Sequence, residues 1–195
     1  MAPVTLRPAR PARADGGLTA HLHARAAEVP AAEWDALVDP DDLLAQHWFV
    51  RVCEDADVER ASYRHVAVRE GGALVGIATL SLMRARLDLL SGGGLRGLSA
   101  AVRRVWPSFL SMPLLLGGLP VSFGTSLLRV HPSADAARVV AAIAREAETA
   151  AAEMGAALVV FKEFARHERA CAGRLTDHGW FEAASLPGCS LEIAW

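Results

Sequence analysis

Lys162 is the only lysine in a chain of 195 residues whose other nineteen basic side chains are arginines. In a composition that favours arginine so strongly, the surviving lysine marks a position where a compact ammonium on a flexible stem suits better than a planar guanidinium. It closes the apolar run Val159–Val160–Phe161 and is followed at once by Glu163. A carboxylate at the end of a buried run is suited to proton transfer, because partial burial brings such a group into the working range of a general base. On a continuing strand Lys162 and Glu163 would point to opposite faces, so only one of them would serve a given cleft.

Other residues that could do chemistry are fewer. His47 beside Trp48 could line a pocket, or simply pack on a largely apolar helix. His21 and His23, two apart on a strand, share a face and could hold a metal, but no third ligand lies near them in sequence, and no metal is expected. Asp177 next to His178 reads as a helix-end pair. No G-x-S-x-G elbow, no cysteine with a nearby histidine and no phosphate-cradling P-loop occurs. Cys53, Cys171 and Cys189 are odd in number and widely spaced, which excludes a disulfide framework and points to a reducing, cytoplasmic setting. A net charge of −2 with a pI near 6.4 supplies no field that would gather nucleic acid.

The elements that must position these side chains are legible from periodicity. Val139, Ile143, Ala147, Ala150 and Met154 form one apolar stripe, with Ser133 placed to cap the helix start, Asp135 in the first turn and Gly155 at the stop. The runs Thr125–Val130 and Ala156–Phe161 flank it as buried strands, giving a βαβ unit. RHVAVRE, Gly71–Gly72 and ALVGIATLSLM read as a hairpin with a central return strand. Leu18–Val29 suggests a first strand, Pro30 opens a short helix with Trp34 inward, and a second helix spans about Asp42–Asp55. The uncharged run Val105–Leu128 is interrupted by Pro107, Pro113 and Pro120 and by glycines, so it predicts two short strands and not a membrane span. The amphipathic segment Leu95–Trp106 could lie on a membrane or a partner surface. His167–Asp177 reads as a short charged helix, and two strand-like pieces follow it. Residues 1–17, with prolines, arginines and two adjacent glycines, are expected to be a disordered arm, and 18–195 a single domain.

This order, together with EWDALV, REGGALVGIATL, LPVSFGTSLLRVHP, ALVVFKEF and DHGWFEAASLPGCSLEIAW, resembles the GNAT acyltransferase superfamily. It is closest to the first of the two tandem domains of its FemAB-like branch. The resemblance implies an α/β (α+β) fold with a mixed, mainly antiparallel central sheet, a βαβ unit and flanking helices. It also implies transfer of an acyl or aminoacyl group to a small-molecule amine, in a cleft where two strands splay apart.

Carried onto this chain, the resemblance makes Glu163 the general base, with Lys162 beside it. Ser122, Gly124 and Ser126 would offer hydroxyls and open backbone to the acyl donor. Arg129 and His131, near the start of the main helix, would face an anion. Acetyl-CoA enzymes of this fold wrap pyrophosphate in a glycine-rich loop there, whereas this chain has VHPSADAAR, without a glycine. An acyl-CoA is therefore a possible donor and not an implied one. The alternative is a non-catalytic half-fold that pairs with a second copy or a partner protein, or binds a lipid-like ligand.

Overall fold

The computed structural model describes residues 13–15, 17–86, 111–121, 126–165 and 168–183. Its strands are β1 (Arg13–Asp15), β2 (Leu18–His23), β3 (Ser62–Glu70), β4 (Ala73–Arg86), β5 (Ser111–Gly117), β6 (Leu128–Val130) and β7 (Leu158–Phe161). The helices are α1 (Ala31–Asp35), α2 (His47–Asp55), α3 (Ala136–Met154) and α4 (Arg169–Thr176). The strands form one sheet in the order β1-β2-β3-β4-β5-β7, and β6 pairs with β4. Every pairing is antiparallel except that of β5 with β7.

Alternation along β3 and β4 sends side chains to two covered faces. Val66, Val68, Ala78 and Leu80, with Leu115 and Leu128, meet the α3 stripe of Val139, Val140, Ile143, Ala147 and Ala150. Tyr63, Ala67, Leu74 and Ile77 lie on the other face under Trp34, Val50 and Cys53 from α1 and α2. The first face permits a close approach because β4 carries Gly76 there. A Cβ on Gly76 would stand 2.3 Å from Val139 Cγ1.

The hairpin forms as its sequence predicts, with Gly71 and Gly72 at φ 57° and 91° supplying the left-handed turn. The main helix also stops where predicted, on Gly155 at φ 70°. Its start differs. Asp135, not Ser133, is the cap, because its side chain reaches the N–H groups of Ala137 and Arg138 while Ser133 is turned back onto His131. The second helix begins at His47, five residues later than expected, and Asp39–Ala45 forms irregular turns instead. Part of the expected N-terminal arm is sheet: Arg13–Asp15 pairs with Leu18–Ala20 across a tight turn at Gly17, φ 91°.

The crossover is corrected too. β6 and β7 flank α3, but the strand parallel to β7 is β5, and β6 lies further along the same edge of β4. The segment Leu95–Trp106 and the second terminal strand-like piece, Ser190–Trp195, lie outside the described residues; of the first, Trp180–Ser185, the described part, Trp180–Ala183, is not a strand. Among those described, no helix is long and apolar enough to cross a membrane.

Candidate active site

The sheet breaks at Thr79. On one side of it Leu80–Arg86 pairs with β5, and on the other Gly76–Ala78 pairs with β6. Thr79 itself joins the two halves: its carbonyl accepts from Gly118 N at 2.8 Å and its N–H donates to Leu127 O at 3.3 Å. β7 follows β5 only, from Leu114↔Leu158 to Gly117↔Phe161. Past that pair the edge of β6 away from β4 has no strand beside it among the described residues, and the sheet opens there.

Lys162 and Glu163 are the first residues beyond the last paired position. The strand does not continue through them. Glu163 sits at φ 61°, a left-handed conformation costly for a residue with a Cβ, and this turns the chain. The turn overrides the alternation expected of the pair: Lys162 Nζ lies 3.2 Å from Glu163 Oε1, with the two side chains 23% and 27% exposed. The second carboxylate oxygen of Glu163, Oε2, is buried and has no hydrogen-bond partner among the described residues. Strained backbone and an unsatisfied buried acceptor cost stability and concentrate at functional sites.

Ser126 and Arg129 come together at the same opening, around a residue that sequence reasoning missed. Glu168, just ahead of α4, reaches across the gap. Its Oε1 accepts from Ser126 Oγ at 2.9 Å and Arg129 Nη1 at 2.7 Å, and its Oε2 accepts from Ser126 N at 3.1 Å and Ala165 N at 2.8 Å. Arg129 Nη1 also donates to the carbonyls of Ser126 and Leu128, and Nη2 pairs with Asp42. Both terminal nitrogens of the arginine are thus engaged inside the protein.

The remaining sequence candidates lie elsewhere. His131 is exposed before α3, its Nδ1 accepting from Ser133 N at 3.2 Å. His47 is buried on the α1–α2 side, its Nε2 donating to Ala26 O at 2.9 Å and its ring edge-on to Trp34. Trp48, next to it, is 54% exposed and points away, so the two do not share a pocket. Ser122 and Gly124 lie outside the described residues. His21 and His23 have ring centroids 6.2 Å apart, and His23 Nδ1 donates to Glu28 at 3.2 Å.

A second polar cluster, also unforeseen, lies under α1 and α2. His65 is fully buried, with Nε2 donating to Glu54 Oε1 at 2.9 Å and Nδ1 3.2 Å from the Thr79 hydroxyl. The carboxylate fixes the tautomer: with the proton on Nε2, Nδ1 accepts from Thr79. Burial holds the His65 pKa below its ordinary 6.5, opposed by the hydrogen bond to Glu54. Nothing in the alternation of RHVAVRE signals that two helices cover the face on which His65 lies.

The start of α3 does not fit a pyrophosphate. The N–H groups of Ala137 and Arg138, which would receive an anion there, donate to Asp135 Oδ1 at 3.0 and 3.3 Å. A carboxylate already fills the positive end of the helix, and an incoming phosphate would meet its charge.

Comparison with solved structures gives the architecture a precedent. A ribosomal-protein-alanine N-acetyltransferase from Brucella melitensis biovar Abortus 2308 aligns over 91% of this chain and 99% of its own, with a TM-score of 0.50 and 13% identity. A GCN5-related N-acetyltransferase from Ralstonia eutropha JMP134 covers 89% of this chain and 99% of its own, with a TM-score of 0.48 and 19% identity. No protein-family model and no curated protein matches the sequence. The fold is GNAT-like: a mixed, mainly antiparallel sheet with flanking helices, as the resemblance implied.

Proposed function

We propose that the chain is a transferase that moves an acyl or aminoacyl group to an amine, with Glu163 as the general base. The observation that carries this reading is the end of β5–β7 pairing at Gly117↔Phe161, with a strained, half-buried carboxylate immediately beyond it. Attack on a carbonyl needs a neutral amine, and a proton must leave the nitrogen as the new bond forms. Glu163, 27% exposed, would take that proton on its carboxylate. Lys162, on Oε1, would fix the carboxylate's orientation and offset its charge. The donor would not be held by a pyrophosphate at the start of α3, whose amides serve Asp135. A carrier-bound or aminoacyl donor, as in the FemAB-like branch, suits such a site better than acyl-CoA.

The test is amide formation. Purified protein is incubated with acyl-CoA, aminoacyl and thioester donors and a panel of amines, and products are read by mass spectrometry. The expected outcome is product from a donor lacking CoA's pyrophosphate, and a fall in kcat/KM of about 100-fold or more in Glu163→Gln with unchanged melting. Absence of product with every pair would sink the reading.

One arrangement favours a second reading. Glu168, Arg129 and Asp42 fill the opening, as they would in a half-fold that keeps the architecture without chemistry and pairs with a second copy or a partner. Light scattering separates the two: a monomer that turns over substrate excludes the scaffold, and an inert dimer or complex supports it.

A further inference from the structure

Glu168 is bound in the manner of a ligand. Its two carboxylate oxygens each accept two hydrogen bonds, from two main-chain N–H groups, one hydroxyl and one guanidinium, and the side chain is only 10% exposed. Three of these donors come from the Ser126–Arg129 stretch and the fourth from Ala165, so the cradle spans the opening in the sheet. It is contributed by β6 and its approach on one side and by the chain beyond β7 on the other.

We infer that this cradle is a carboxylate-binding site closed by the chain's own Glu168, and that it accepts the carboxylate of a ligand when Glu168 leaves. The donors select that chemistry. Two pairs of donors directed at two oxygens match a planar, singly charged group. A phosphate would leave its third oxygen without a donor. It would also bring a second charge toward Asp42, which already takes the other side of Arg129. Emptying the cradle leaves a half-buried guanidinium and two N–H groups with lost partners, so the open state gains from any carboxylate that re-forms the bonds. The inference rests on the four donors and does not depend on the transferase reading.

Chemical rescue tests it without turnover. Glu168→Ala removes the resident carboxylate, whereas Glu168→Gln keeps its bulk in place. Melting is followed in acetate and in chloride at equal ionic strength. Glu168→Ala is expected to melt below the wild type and to gain about 3 to 5 °C in acetate, saturably, at roughly ten times the dissociation constant. The wild type and Glu168→Gln, whose cradles are filled, should show no acetate-specific gain. If Glu168→Ala does not fold in chloride, the yield of refolded protein in acetate against chloride gives the same reading. No acetate-specific gain in Glu168→Ala, by melting or by refolding, overturns the inference, and so does an equal gain in all three proteins.

Discussion

Arg129 and Glu168, 39 residues apart in sequence, meet at 2.7 Å across the gap where the sheet opens, with side chains only 15% and 10% exposed. Asp42 holds the same guanidinium from the far side, so one arginine ties the loop before α2 to the head of α4. Removing it strands two carboxylates in a site they share with little water. Arg129→Met is expected to lose about 3 to 5 kcal/mol of stability. Arg129→Lys should recover little of that, since one ammonium lacks the fork that serves two carboxylates and two carbonyls. Urea denaturation measures both, and a loss under about 1 kcal/mol in Arg129→Met would mean the tie carries no load.

Gly76 sets how closely α3 lies on the sheet. A methyl group there would stand 2.3 Å from Val139 Cγ1, against a valine that is itself fully buried. Helix or strand must then shift, at a cost of about 1 to 3 kcal/mol. Gly76→Ala should therefore melt several degrees lower, and pairing it with Val139→Ala should return part of the loss. If the double variant is no better than the single one, the contact is not what limits the approach.

What the sequence disclosed is what local pattern encodes. The Gly71–Gly72 hairpin and the α3 stripe with its Gly155 stop follow from periods of two and 3.6 and from residues that tolerate a left-handed backbone. The site was legible only in its local half. VVFKEF marks the end of a strand, and so brings out Lys162 and Glu163. Their meeting depends on the φ of one residue, which no pattern announces. Arg129 could be picked out, but its partners lie 39 and 87 residues away, and pairing over such distances leaves no periodic trace. The end-to-end placement of β5 and β6 on one edge of β4 was hidden likewise, because β6 is only three residues long.

Glu163 holds a conformation that glycine adopts without strain. Glu163→Gly should relieve about 1 kcal/mol of backbone cost, offset in part by the greater freedom of the unfolded chain. The proposal adds a second expectation: a small gain or no change in melting, together with loss of transfer. A variant that melts clearly lower would show that the Lys162 pair outweighs the strain. One that keeps its full activity would remove Glu163 from the chemistry.

His65 gives the fold a pH dependence whose sign follows from its burial. The folded protein holds this imidazole neutral below its ordinary pKa of 6.5, so on acidification the unfolded chain takes up the proton first. Stability contributed by the neutral ring is complete above 6.5 and declines as pH falls through that value, until the folded form protonates as well. Glu54, hydrogen-bonded to Nε2, and Glu28 work against the shift, and His23 works with it. His21, also lowered by burial, adds a slope of the same sign, so the comparison must be with a variant and not with theory. His65→Gln keeps a donor and an acceptor for Glu54 and Thr79 but cannot titrate. It should be less stable than the wild type at pH 8, with the difference narrowing as pH drops below 6.5. Urea midpoints at half-unit steps from pH 8 to pH 5 measure it, and curves that stay parallel over that range would show that His65 does not gain a proton on unfolding.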